Sequence, residues 1–178
     1  MALTPCTATV TGAGGLNQSL TVNYANNINV GTASASASFA GDTGHTGSSA
    51  SKNFAIVYRW EGFRQPINDT AHQVDQGVSV FKAGSTVPVK LQLKASDGSI
   101  IQSASAPLWL TPLKGSLMNS PVDESLYTDP ATSGNVFKWD GTQYSYNWST
   151  KGFAAGYWYR IYAVLDDGTV QSVVIGLK

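Results

Sequence analysis

The sequence predicts an all-β protein built as two tandem immunoglobulin-like β-sandwich modules, the first over residues 3–57 and the second over 58–178. Three observations carry this reading. Helix-period patterns are almost absent, and alternation of period two, rich in Thr, Val, Tyr and Ser, recurs along the chain. Asp-Gly pairs stand between alternating runs at Asp97-Gly98, Asp140-Gly141 and Asp167-Gly168, where they supply the positive φ that tight hairpin turns require. The length, 178 residues, gives room for one large β domain or two small ones with modest cores.

The first runs are Cys6 to Val10, Ser19 to Tyr24, Thr32 to Phe39 and Lys52 to Tyr58, separated by Gly12 to Gly15, Asn26-Asn27 and a loop from Gly41 to Ser51. Leu20, Val22 and Tyr24 share one parity against Ser19, Thr21 and Asn23, so one face is apolar. Ala33, Ala35, Ala37 and Phe39 likewise oppose Thr32, Ser34, Ser36 and Ser38, and the small alanines imply close approach of a facing sheet. From Phe54 to Phe63 no Pro, Gly or Ser interrupts the run before Gly62, which predicts one continuous strand passing into the second module and a stiff junction. In that module Val87, Val89, Leu91 and Leu93 oppose Lys90, Gln92 and Lys94. Tyr159, Ile161, Ala163 and Leu165, with Val173, Ile175 and Leu177, complete the expected core. The segment from Thr111 to Gly134, with Pro112, Pro121 and Pro130, is expected to be a long irregular excursion.

Charged residues make up only 12% of the chain against 42% apolar, and the formal net charge is zero with the basic residues scattered. Nucleic acid is therefore not an expected partner. No apolar stretch approaches the ~20 residues of a membrane span, so no membrane insertion is expected. The start Met1-Ala2-Leu3-Thr4-Pro5 lacks a basic region followed by an apolar one, so a secreted parent would make this chain an excised fragment. A single cysteine, Cys6, allows no internal disulfide and no cysteine-based metal site.

Two stretches resemble known families. Tyr24-Ala-Asn-Asn-Ile-Asn-Val-Gly31, the alternating run to Gly41-Asp42, Ser48-Ser49 and Phe54-Ala-Ile56 resemble the bacterial Ig-like repeats of large surface and secreted proteins. The second stretch comprises Trp60-Glu-Gly62-Phe63-Arg-Gln-Pro66-Ile67, Lys82-Ala-Gly84-Ser-Thr-Val87-Pro88-Val89-Lys90-Leu91, Gln143-Tyr-Ser-Tyr146-Asn-Trp148-Ser-Thr-Lys151 and Leu165-Asp-Asp167-Gly168. These are similar to the PxKF domain, an accessory module at the C-terminal ends of bacterial secreted proteins and hydrolases. The name motif here has Leu91 where Phe stands, and Tyr157-Trp158-Tyr159 occupies a region where members often carry cysteine. The resemblance implies an Ig-like sandwich, an extracellular or cell-surface setting and no activity to carry over to particular residues.

Candidate chemistry is sparse. No Gly-x-Ser-x-Gly elbow or Gly-x4-Gly-Lys phosphate loop occurs, and a catalytic triad would have to use His45 or His72, the latter with Asp75 at i, i+3. No catalytic residues and no metal ligands are therefore assigned, and no cofactor is expected. Calcium is the ion best suited to the loop acids Asp42, Asp69, Asp75, Asp123, Glu124 and Asp129, whose competing use is turn capping. Tyr144, Tyr146 and Trp148 share one strand face, while Trp158 and Tyr162 lie opposite Tyr159 and Ile161. Core or domain-interface packing is the leading use of these aromatics; the candidate ligand-binding set, should one face be exposed, is Trp109, Trp139, Trp158 and Tyr162, stacking on sugar rings. The expected function is a non-catalytic structural or adhesion spacer of a secreted bacterial surface protein, with neighbouring domains and a polysaccharide or cell-surface ligand as partners. Its rivals are a carbohydrate-binding accessory module of a hydrolase and a phage or virion decoration protein.

Overall fold

The structure, a computed structural model, describes residues 2–69 and 79–178. It is all-β, and the chain divides into two compact units, Met1–Tyr58 and Arg59–Lys178.

The first unit contains β1 (Ala8–Thr11), β2 (Asn17–Leu20), β3 (Asn23–Ala25), β4 (Gly31–Phe39) and β5 (Ser48–Ile56). β1 and β2 form a hairpin, and β3, β4 and β5 form an antiparallel sheet in that order. The alanine parity of β4 is inward, with Ala33, Ala35 and Ala37 all buried. Ala35 and Ala37 floor a groove of about 340 Å3 beneath the N-terminal stretch, which also lines it with Pro5 and Cys6. Tyr24 ties that stretch down: the Cys6 N–H donates to the Tyr24 hydroxyl, and the hydroxyl donates to the Cys6 carbonyl, each at 2.8 Å.

Three sequence expectations change here. The run Ser19 to Tyr24 is two strands, because β2 pairs with β1 whereas β3 pairs with β4. The expected loop from Gly41 to Ser51 is shorter: a tight turn bridged between Asp42 and His45 lets β5 begin at Ser48, opposite Phe39. The strand expected to run unbroken from Phe54 through Phe63 leaves its ladder at Ile56, whose partner Gly31 is the first residue of β4. Past that point it has nothing to pair with in the same sheet.

The second unit contains β6 (Phe63–Arg64), β7 (Val80–Phe81), β8 (Thr86–Leu91), β9 (Leu108–Leu117), β10 (Lys138–Trp139), β11 (Tyr144–Ser149), β12 (Tyr157–Val164) and β13 (Val170–Leu177). They make two four-stranded sheets, β10-β11-β8-β6 and β7-β13-β12-β9. Every pairing is antiparallel except β7 with β13, which is parallel. The sheets face each other through the parities read from the sequence. Val87, Val89, Leu91, Tyr144, Tyr146 and Trp148 come from one side, and Tyr159, Ile161, Ala163, Val173 and Ile175 from the other, all buried. Each such aliphatic side chain contributes about 1.5–3 kcal/mol on burial.

Two prolines sit inside strands. Pro88 is tolerated because β6 reaches only Lys90 and Leu91, so no strand on that side needs the missing N–H. Pro112 lies in β9, at the edge of its sheet, where the same reasoning applies. Residues 111–117 therefore continue a strand, correcting the expected irregular excursion, whose remaining residues carry no named strand before β10.

At the Asp-Gly turns only the glycine is left-handed: Gly98, Gly141 and Gly168 have φ of 87°, 104° and 85°. In the 95–99 and 165–169 turns, Gly98 and Gly168 donate back to Ala95 and Leu165 at 2.9 and 3.1 Å. The chain then closes with Ala95 donating to Ser99 and Leu165 to Thr169, each at 2.9 Å, the three-residue hairpin with glycine at its bulge. Gly168→Ala is expected to cost about 1–2 kcal/mol by forcing a Cβ into this conformation, read as a lowered urea midpoint, while Gly168→Asn costs less.

Candidate functional site

The aromatic residues are where sequence reasoning placed a binding face, and the structure separates them. Trp109 projects from β9 into the interlayer. It is 7% exposed and stacks on Tyr146 with ring centroids 4.6 Å apart and planes 12° from parallel. Phe137 and Trp148 lie 6.2 and 5.8 Å away, and Trp148 continues to Phe153 and Tyr159 at 4.9 and 6.1 Å. Trp139 pairs across strands with fully buried Tyr144, 4.8 Å between rings, so it also points inward, at the edge of the other sheet. Trp158 and Tyr162 occupy the opposite face of β12, half-buried. The four residues expected to form one stacking face thus lie on two sheets and on both sides of one of them. The inward placement of Trp109 and Trp139 has a plain cause. In a sandwich without disulfides the largest rings fill the space between layers.

Trp158 lies against Gly176, its cross-strand partner. A Cβ built at Gly176 would collide with Met118 Sδ and meet Trp158 Cζ3 at 3.0 Å, so the glycine is the hollow that seats both side chains. Beyond Trp158, the outer face carries Tyr162 and Val164 beside exposed Leu108, Leu110 and Val170. The hydroxyls of the buried Tyr144, Tyr146 and Tyr159 hold loops. Ser103 N–H donates to Tyr144 at 2.9 Å, while Tyr146 donates to the Gly134 carbonyl at 2.8 Å and Tyr159 to that of Ala154 at 2.9 Å. Burial raises the Tyr146 pKa above its ordinary value.

The loop acids are likewise engaged with backbone. Asp97 accepts the hydroxyl and N–H of Ser99 at 2.7 and 2.9 Å, and these bonds hold its pKa at about 2. Asp140 accepts the Thr142 and Gln143 N–H groups, each at 2.9 Å, and is also held at about 2. Asp167 repeats the arrangement with Thr169, so an Asp-Gly-Ser/Thr signature capable of self-capping was present in the sequence and went unread.

Of the calcium candidates, Asp69 is buried and accepts the Phe63 N–H at 2.8 Å, and Asp123 accepts the Val80 N–H at 2.7 Å. Glu124 accepts Ser79 and Asn68 at 2.9 and 3.0 Å; desolvation raises its pKa, aided by the Asp123 charge. Among the described residues no group of three or more His, Cys, Asp or Glu side chains is arranged to hold a metal ion. His72 and Asp75 lie outside the described residues.

His45 is the one histidine with visible geometry. Its Nδ1 meets Asp42 Oδ1 at 2.7 Å and its Nε2 meets the Ala13 carbonyl at 2.9 Å. Both neighbours are acceptors, so the ring satisfies both only as imidazolium, donating from each nitrogen. The pKa is raised accordingly, first by the Ala13 carbonyl and then by Asp42. Asp42 is lowered, first by the Gly44 N–H and then by His45.

No family model matches the chain, and no curated protein matches it. No helix among the described residues is long and apolar enough to cross a membrane.

Two tests follow from this geometry. Trp109→Ala is expected to lose about 3–5 kcal/mol in chemical denaturation, and Trp158→Ala, already half in solvent, distinctly less. Because the folded pKa of His45 is raised, its contribution is full below the ordinary histidine value of 6.5 and is lost as pH climbs through the folded value. An NMR titration of the ring should therefore give a midpoint above 6.5, with amide exchange in the Asp42–His45 turn quickening beyond it; a midpoint at or below 6.5 contradicts the double-donor arrangement.

Proposed function

We propose that this chain is a mechanical and display spacer of a secreted bacterial surface protein, holding neighbouring domains apart rather than catalysing a reaction. The observation that carries the proposal is the parallel ladder of β7 with β13. Gly176 N–H donates to Ser79 at 2.8 Å, Lys178 N–H to Phe81 at 3.0 Å and Ala83 N–H to Lys178 at 2.8 Å. Tension on the chain reaches β7 from its N-terminal end, once β6 is drawn off, and reaches β13 from its C-terminal end. Parallel strands loaded this way must slide past each other, so their hydrogen bonds bear the load together instead of peeling singly.

The 123–124 backbone reinforces the clamp. Its two N–H groups donate to the Val80 carbonyl, each at 3.2 Å, while Asp123 accepts the Val80 N–H. The residues resembling bacterial Ig-like repeats and the PxKF domain support the secreted, cell-surface setting, where a tethered module is exposed to pulling.

Forced unfolding is governed by the unfolding rate under load, so the test is single-molecule pulling of the full chain from both ends. The second unit should release about 400 Å of chain in one step, at a higher force than the shorter release of the hairpin-built first unit. Gradual release of the long step at low force would remove the mechanical ground for the proposal.

A further inference from the structure

The second unit also holds a cleft of about 480 Å3, a volume suited to a small organic ligand. It lies where the turn Lys82–Ser85, the strap 126–131 and the end of β11 meet. Its walls are pinned by buried threonines. Thr86 donates its N–H to the Tyr127 carbonyl at 3.1 Å and its hydroxyl to that of Asp129 at 2.8 Å. Thr150, with no exposed surface, donates its N–H and hydroxyl to the Ser85 carbonyl at 3.0 and 2.6 Å. A cleft held this way is formed before any ligand arrives, so binding there does not have to order its loops.

Two ammonium groups flank it. Lys82 and Lys151 are exposed, and neither side-chain ammonium makes an ion pair or hydrogen bond with another described residue. Two other lysines of the unit are engaged, Lys94 with Glu61 and Lys114 over the Tyr157 ring at 3.4 Å from its centroid; what sets Lys82 and Lys151 apart is that both line one cleft. The cleft also contains one carboxylate, Asp129, the Ser149 hydroxyl, and apolar surface from Tyr127 and Pro130.

We propose that this cleft binds an acidic sugar unit of the uronate class, carried on a polysaccharide. The sugar carboxylate meets Lys82 and Lys151, whose charge exceeds that of Asp129. Ring hydroxyls donate to Asp129 and exchange hydrogen bonds with Ser149, and the C–H face of the ring lies on Tyr127. A neutral sugar leaves both ammonium groups without a counter-charge, and a bare inorganic anion makes no use of the apolar wall. The inference goes beyond the spacer role, which does not require a ligand, so the two fail separately.

Affinity electrophoresis of the full chain tests it, with gels containing polygalacturonate, neutral dextran or dextran sulfate. Polygalacturonate should retard the protein and dextran should not, with dextran sulfate clearly weaker than polygalacturonate. Lys82→Gln/Lys151→Gln should weaken retardation by about tenfold or more, while Lys52→Gln/Lys138→Gln, with the same change in net charge, retains it. Lys82→Arg/Lys151→Arg keeps the charge and should keep binding, which guards against a folding defect in the glutamine variant. No retardation by polygalacturonate, equal retardation by dextran sulfate, or equal loss in the Lys52/Lys138 variant overturns the proposal.

Discussion

The interlayer of aromatic rings is the constraint on which the second unit depends. With Cys6 alone no internal disulfide can form, so the two sheets depend on what fills the space between them. The stack of Trp109 on Tyr146, continued through Trp148 to Phe153 and Tyr159, joins strands of both sheets to the loop after β11. Ring pairs of this kind add about 0.5–1.5 kcal/mol each beyond their area. They also commit the tyrosine hydroxyls to loop carbonyls and N–H groups, so the apolar interior and the path of the connecting segments are set by the same side chains. Among the described residues no buried side-chain nitrogen or oxygen lacks a partner.

This use of side chains shapes what remains for function. The carboxylates of Asp69, Asp97, Asp123, Asp140 and Asp167 are bound to backbone N–H groups in turns and straps, and that of Glu124 to Ser79 and Asn68. Of the large rings that might have formed a platform, Trp109 is inside and Trp158 and Tyr162 are half-buried on the outer face of β12. What stays uncommitted is the parallel clamp at the end of the chain's last strand, the cleft beside Lys82 and Lys151, and the half-exposed apolar strip around Tyr162. A mechanical role with a polysaccharide-facing cleft draws on the first two.

Much of the fold was legible because a strand repeats every two residues. The parities of Ala33 to Ala37, Val87 to Leu93 and Tyr159 to Leu165 each name the buried side, and the structure buries those sides. Parity states which residues share a face, however, and is silent on which face acquires a cover. Trp109 and Trp158 both alternate with apolar neighbours, and only the pairing of β9 beside β12 puts one inside and the other outside. Strand ends were misplaced for a related reason. Residues 111–117 read as irregular because of Pro112, which matters at the centre of a sheet and not at its edge. The run after Ile56 read as a strand because its residues are strand formers, but a strand ends where its partner does. The cleft was invisible in sequence, since Lys82, Asp129 and Lys151 come together only through the threonine pins.

The most direct test of the central claim is a double-mutant cycle on the interlayer stack, using Trp109→Leu, Tyr146→Leu and the combination in chemical denaturation. If the rings bind the sheets as described, the single losses are non-additive, with a coupling of about 0.5–1.5 kcal/mol. Losses that simply add, within about 0.3 kcal/mol, would contradict it and leave the core as undifferentiated apolar filling.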